Sequence, residues 1–292
     1  MQDFRMETFL TVCQYMNFTR AAETLNMTQP AVSQHIKFLE TAYGVRLFTT
    51  SGKKLLLTEA GKILQQAAIA LRHDEQHLRD RLQQSQSDKE KYRFGATLSV
   101  AEFMVPKNLE HFLSNHPHSH VRMAVANTKE LLAKLTTGEL DFAIVEGFFP
   151  KLEYEFLPYR EEGFVAVASP AKARLYQGKP LHSLLQENLF LREAGSGTRE
   201  ILERALEEKG MAVTDFANLI ELGNIGAIKH MLMANLGITF CYYSAVDEEV
   251  QRGELAVINL KDWHLRHEID FIFLKDSIFR DDYVKIYQEL CK

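Results

Sequence analysis

Cysteine is scarce: three occur in 292 residues, Cys13, Cys241 and Cys291, far apart and with no Cys-x-x-Cys. That excludes a disulfide framework and a sequence-local zinc site, and it fits a reducing compartment. No run of ~18 apolar residues occurs, so no membrane span or membrane partner is expected. The opening Met1-Gln2-Asp3-Phe4-Arg5-Met6-Glu7 carries acids and no long apolar stretch, so it does not read as a secretory signal. A cytoplasmic location is the expectation. There is no Gly-x-x-x-x-Gly-Lys-Ser/Thr and hence no P-loop. Gly195-Ser196-Gly197-Thr198 is not Gly-x-Ser-x-Gly, so Ser196 is a poor hydrolase nucleophile. Internal repeats are missing too. What remains is an ordinary mix, 46% hydrophobic and 25% charged. At roughly 150 residues per domain, the length suits two or three domains.

The net charge of -5 is unevenly spread. Residues 1–93 hold 13 Lys and Arg against 10 Asp and Glu, a net +3, which leaves -8 for the rest. A mildly basic front on an acidic back fits a nucleic-acid-binding head, although so small an excess decides nothing alone.

The front reads as helix, helix, turn, helix, hairpin, long helix. Met6, Phe9, Leu10 and Cys13 follow helical spacing, and Thr19 is placed to cap a short second helix over Arg20–Leu25. Asn26-Met27-Thr28 makes a tight connection. Pro30 then suits the first turn of a third helix, where its missing N–H costs nothing. Val32, Ile36, Leu39 and Tyr43 form that helix's buried stripe, and Gly44 stops it. A hairpin over Phe48–Leu57 turns at Ser51-Gly52. Thr58 caps a fourth helix running from about Glu59 to Gln86, where Leu64, Leu71 and Leu78 are seven apart. A single apolar stripe on so long a helix predicts a second copy packed against it. Gln83–Lys91 lacks apolar residues and reads as a linker.

From Tyr92 onward, strands and helices alternate, which predicts mostly parallel sheets in two subdomains. Strands are expected at Arg93–Thr97, Val121–Ala126, Phe142–Glu146, Phe164–Ser169, Leu189–Arg192, Leu219–Leu222, Ile238–Tyr243, Leu255–Asn259 and Ile269–Leu274. Helices are expected at Ala101–Ser114, Thr128–Leu135, Leu181–Gln186, Thr198–Lys209, Ile225–Ala234, Ala245–Gln251 and Ser277–Leu290.

Two short helices joined by a three-residue turn at Thr19–Glu40 make a helix-turn-helix. Ala21 and Ala22 let the helices cross closely, and Gln29, Pro30, Ser33, Gln34 and Lys37 are left facing outward. Gln can pair bidentately with adenine, Ser with any base, and Lys reaches guanine or phosphate. Thr19, Arg20 and Thr28 flank that face. Lys53 and Lys54 would form a wing against the DNA backbone or minor groove. An ordinary helical hairpin with a solvated face is the plain alternative.

These residues resemble the LysR-type transcriptional regulators. The likeness is carried by Phe9-Leu10, Phe18-Thr19-Arg20-Ala21-Ala22, Leu25, Thr28-Gln29-Pro30-Ala31-Val32-Ser33, Ile36, Leu39-Glu40, Gly44-Val45-Arg46-Leu47-Phe48 and Leu57-Thr58-Glu59-Ala60-Gly61. It departs from the family at Thr50, where many members carry a minor-groove arginine, and at Gln34-His35, which replaces a common Arg-Gln. The resemblance implies a multidomain α+β chain. Its parts are a winged helix-turn-helix (1–58), a dimerising linker helix and hinge (59–91), and an effector domain like periplasmic binding lobes (92–292). Lobe I would span about 92–163 and 264–292, and lobe II about 164–263. Double-stranded DNA, a second copy through the linker helix and a tetramer are the implied partners. No cofactor and no enzymatic activity are implied.

Three strand-to-helix corners carry hydroxyls and free N–H groups: Thr97-Leu98-Ser99, Arg192–Arg199 around Gly195-Ser196-Gly197-Thr198, and Glu221–Ile225 with Asn224. Each alone reads as helix capping. In the family such corners line a ligand cleft between the lobes. The expected effector residues are Thr97, Ser99, Glu146, Ser196, Thr198, Asn224 and Ile225. The ligand expected is a small anion: a carboxylate, a sulfate-like ion or a phosphorylated metabolite. The Arg-Glu-x-Gly-Ser-Gly-Thr-Arg corner looks like the family branch that regulates carbon fixation and sulfur assimilation. A solute-binding protein is the rival reading. It lacks support in the opening residues, and it leaves the helix-turn-helix unexplained. His111, His116, His118 and His120 read as a solvated loop, and His73 and His77 as a solvated helix face rather than metal ligands. Cys241 has no partner cysteine, so a disulfide switch is not expected.

Overall fold

A computed structural model describes residues 3–52, 54–84 and 90–291. The first unit is α1 (Phe4–Tyr15), α2 (Phe18–Thr24), α3 (Gln29–Tyr43), β1 (Phe48–Ser51) and β2 (Lys54–Leu57). The second helix starts earlier than expected. Asn17, not Thr19, caps it: the Asn17 side-chain oxygen accepts from the amides of Thr19 and Arg20 at 2.9 and 3.1 Å. A carboxamide one residue before the first turn reaches both orphan amides, which places Thr19 inside the helix. Thr28 caps α3, with Pro30 in its first turn, and Gly44 ends it at φ +69°. Phe9, Val12, Ala21, Val32, Ile36, Leu39 and Leu47 form one buried cluster. Tyr43 stays exposed, because the chain turns away at Gly44 before any element covers it. Gly61 lets the next helix approach the wing: a Cβ there would lie 2.2 Å from the Leu47 carbonyl oxygen.

The helix α4 (Glu59–Gln84) has 26 residues, about 39 Å at 1.5 Å per residue. Thr58 caps it, accepting from the Gly61 amide at 3.0 Å. The expected end at Gln86 and most of the expected linker lie outside the described residues. Leu64 packs on the helix-turn-helix core, so it does not share an open stripe with Leu71 and Leu78. The exposed large apolar residues of α4 are Ile63, Leu71, Leu78 and Leu82, at 71, 57, 44 and 62% exposure.

The opposite face of α4 is fastened to the rear domain of the same chain, so His73 and His77 are not on a solvated face. His73 is fully buried, with Nε2 3.1 Å from the Leu140 carbonyl oxygen. The Asp74 carboxylate accepts from the Ser277 hydroxyl at 2.6 Å and the Ile278 amide at 2.9 Å. His77 Nδ1 lies 2.9 Å from Asp141, which also accepts from the Arg93 side chain at 2.8 Å. A helix's own pattern shows which face is polar, not what that face packs against.

The rear domain runs β3 (Lys91–Ala96), α5 (Leu98–Phe103), α6 (Val105–Asn115), β4 (His120–Val125), α7 (Thr128–Thr137), β5 (Phe142–Val145), β6 (Tyr154–Ala168), α8 (Pro170–Tyr176), β7 (Asn188–Leu191), α9 (Gly197–Glu207), β8 (Asn218–Glu221), α10 (Ile225–Met233), β9 (Ile238–Tyr242), α11 (Asp247–Gln251), β10 (Ala256–Ile258), β11 (Leu265–Leu274) and α12 (Arg280–Leu290). The strands join one sheet in the order β4-β3-β5-β11-β6-β9-β7-β8, with β10 on β6. Its two ends are parallel, as expected. Its centre is antiparallel: β6 pairs with β11 from Tyr154↔Leu274 to Phe164↔Leu265. That central pair was only half expected, because Pro158 and the charged run Arg160-Glu161-Glu162 obscure the alternation in the first half of β6. The single helix expected over Ala101–Ser114 is two, broken at Met104 with Pro106 in the first turn of α6. The helix α8 was not expected; Ser169 caps it by accepting from the Lys172 amide. His116 is half-buried, stacked on Phe112 and 2.9 Å from Glu289, so it is no solvated loop residue.

Candidate DNA-binding and effector sites

On the first unit, Thr19, Arg20, Thr28, Gln29, Pro30, Gln34 and Lys37 are exposed, and Ser33 is half-buried. Gln29 Nε2 donates to the Ser33 hydroxyl at 2.9 Å, which orders the start of α3. An open groove of about 1000 Å³ lies between α3 and the hairpin, lined by Ser33, Lys37, Arg46, Thr49 and Thr50 among others. Lys54 is exposed on the hairpin, and Lys53 lies outside the described residues. His35 does not join this face: its Nδ1 lies 2.9 Å from the Thr8 hydroxyl, and its ring packs edge-on against Phe4.

In the rear domain, five of the expected effector residues converge. Thr97 and Ser99 stand at the start of α5, Glu146 follows β5, and Ser196 and Thr198 open α9. All five are buried. Ser99 Oγ and Thr198 Oγ1 are 3.1 Å apart, a direct bond between the two halves of the sheet. Thr198 donates to Glu146 Oε1 at 3.2 Å, and Thr97 Oγ1 accepts from the Glu146 amide at 3.4 Å. Neither Thr97 nor Ser196 makes a side-chain cap to its own helix, so their hydroxyls are not used as the plain capping reading requires. The approach is close: a Cβ on Gly197 would lie 2.8 Å from the Glu146 Cγ. Asn224 is different. It is exposed and caps α10, accepting from the Ala227 amide at 3.1 Å. Ile225 is buried in an apolar cluster with Phe190 and Ile228.

Two residues of this cluster are not among the expected effector residues, although Arg192 opens the Arg192–Arg199 corner. Tyr242, buried at the end of β9, faces Glu146; its only signal was a hydroxyl in an apolar run. Arg192 is buried and held by Glu193 through two bonds of 2.8 Å. Burial pushes the Glu146 carboxyl up to about 7, against the opposing pull of Thr198, Tyr242 and Arg192. Burial likewise pushes the Cys241 thiol up to about 12, and all three cysteines are free. Among the described residues no cluster of His, Cys, Asp and Glu could hold a metal ion, and no helix is long and apolar enough to cross a membrane.

Residues 4–62 match the family model of the bacterial regulatory helix-turn-helix proteins of the lysR family, and residues 85–278 match that of the LysR substrate binding domain. The chain belongs to the LysR family. This LysR-type chain is 30% identical over 271 residues to the HTH-type transcriptional regulator CfxR of Cupriavidus necator, covering 90% of this chain and 84% of that one. Its fold is that of an H2O2-bound mutant of Corynebacterium glutamicum OxyR, at 22% identity and a TM-score of 0.62, over 98% of this chain and 90% of that one. The Synechocystis CcmR regulatory domain in complex with 2-PG matches 70% of this chain and 98% of its own length, at 20% identity and a TM-score of 0.61. The LysR-type chain is therefore a DNA-binding transcriptional regulator with a domain for a small-molecule effector.

Proposed function

We propose that this regulator reads DNA with α3 and its hairpin and is controlled by a small anion held between the lobes of its rear domain. The head is 1–58, the linker helix and hinge 59–91, and the effector domain 92–292. The protein works with DNA in the cytoplasm, as a dimer through α4 and as a tetramer of such dimers, and it carries out no catalysis of its own. The observation that carries the effector reading is the convergence of Thr97, Ser99, Ser196 and Thr198 on the N-terminus of α9. The first-turn amides of a helix have no intrahelical partner and sit at its positive dipole end, which favours an anion. A ligand bridging Ser99 and Thr198 would favour one orientation of the lobes, and that differential affinity is what links binding to DNA geometry. The 2-PG bound by the CcmR domain supports an anionic ligand.

The test is a melting-temperature screen of carboxylates, sulfate-like ions and phosphorylated metabolites on the whole protein, followed by calorimetry of the best ligand. Thr97→Ala and Ser196→Ala should each weaken it by roughly tenfold, the worth of a hydrogen bond to a charged group. A cationic or apolar best ligand, or unchanged affinity in both variants, contradicts the assignment.

On the DNA side, Gln34→Ala and Lys37→Ala should each lower operator affinity without lowering the melting temperature. Both side chains are exposed on α3. One good base contact is worth about 1–3 kcal/mol. Gel shifts with unchanged affinity for both variants would take α3 out of the groove.

A further inference from the structure

Glu146 sets a condition that the other groups around the start of α9 do not. It is 2% exposed, and its Oε1 accepts from Thr198 while its Oε2 has no donor within hydrogen-bond distance, although the Tyr242 hydroxyl faces the carboxylate from β9. A buried carboxylate oxygen left unpaired is costly, and a site that keeps one is completed by a donor from outside. We infer that the cleft selects a small oxyanion that keeps an O–H of its own, such as hydrogenphosphate, and rejects a fully deprotonated one such as sulfate. The inference rests on the reading that an anion occupies this cleft.

The chemistry follows from which atoms can donate. The amides at the start of α9 and the Ser196 hydroxyl can donate to any oxyanion and do not discriminate among them, while the Thr198 hydroxyl is given to Glu146 and the Ser99 hydroxyl to Thr198. Glu146, once ionised, only accepts. Sulfate would set acceptor against acceptor beside it, with like charges in a dry site. Hydrogenphosphate would give its O–H to Oε2 and turn the repulsion into a charge-assisted bond. The titratable groups that face Glu146 are Arg192, beyond the end of β7, and Tyr242, on β9. Arg192 is already engaged by Glu193, so it does not neutralise the carboxylate directly.

Calorimetry of the full-length protein at pH 8 tests this, with sodium phosphate, sodium sulfate and methyl phosphate at matched ionic strength. At that pH all three are mainly dianions, and only hydrogenphosphate retains an O–H. The carboxyl of Glu146, raised to about 7, is then mainly ionised and cannot donate. Phosphate should bind roughly tenfold to a hundredfold more tightly than the other two, as one charge-assisted hydrogen bond allows. In Glu146→Gln, whose amide can donate, the preference should vanish. Sulfate binding to the wild type as tightly as phosphate would overturn the inference and leave the anion site standing. Methyl phosphate matching phosphate would do the same. Binding of none of the three would overturn the inference, and the melting-temperature screen, which includes carboxylates, separately decides the anion reading. The wild-type comparison decides the matter even if the Gln variant fails to fold.

Discussion

Leu71→Asp is expected to leave the protein monomeric and to lower its affinity for its operator by roughly a hundredfold or more. Leu71 lies midway along α4, 57% exposed, between Ile63 and Leu78, which are exposed on the same helix. Large apolar side chains along one helix are rarely left to solvent over such a length, and a second copy covers them most economically. A carboxylate in that seam would lose its water without gaining a partner. DNA affinity follows assembly: two linked heads bind two half-sites with a high effective concentration, and a lone head does not. Light scattering and gel shift on the same preparation check both effects. A Leu71→Asp protein that remains dimeric at micromolar concentration would show that α4 is not the dimer seam.

Asp141→Ala should cost about 3–5 kcal/mol of stability, the usual loss when one partner of a buried ion pair is removed. Asp141 is buried where α4 meets the rear domain and accepts from His77, from the Arg93 amide at 3.0 Å and from the Arg93 side chain. Burial alone would raise its carboxyl. The hydrogen bonds and charges of His77 and Arg93 outweigh burial and hold it below the ordinary aspartate range. A depressed folded pKa means that this stability is present above the unfolded value of about 3.9 and is lost as pH falls through the folded one. Urea unfolding of wild type and variant should therefore differ most near neutral pH and converge in strong acid. A difference under about 1 kcal/mol at pH 7 would mean that the network contributes little to fastening α4.

The head was legible because its signals are local. Caps, a proline in a first turn, a terminal glycine and the stripe of Val32, Ile36 and Leu39 all lie within a few residues of what they determine. Even there, the cap went to Asn17 rather than Thr19, since both side chains suit the role and only backbone geometry separates them. The fastening of α4 was not legible. His73, Asp74 and His77 read as a polar face, and the partners that bury them, Leu140, Asp141 and Ser277, lie more than sixty residues away in sequence. The first half of β6 was hidden by Pro158 and its charges. In the cleft, the hydroxyl corners could be read from strand-to-helix transitions. Nothing in the sequence indicated that Glu146 would be buried with one oxygen unpaired, because that depends on lobes brought together from residues fifty positions apart.

A dimeric, sequence-specific DNA reader leaves a two-part footprint on its operator. The most direct measurement is footprinting on the DNA upstream of its own gene, repeated across a series of salt concentrations. Two protected half-sites are predicted about one helical turn apart, or a multiple of it, with affinity falling steeply as salt rises and staying well above that for unrelated DNA. Uniform protection, or affinity no higher than for unrelated DNA at every salt concentration, would contradict it.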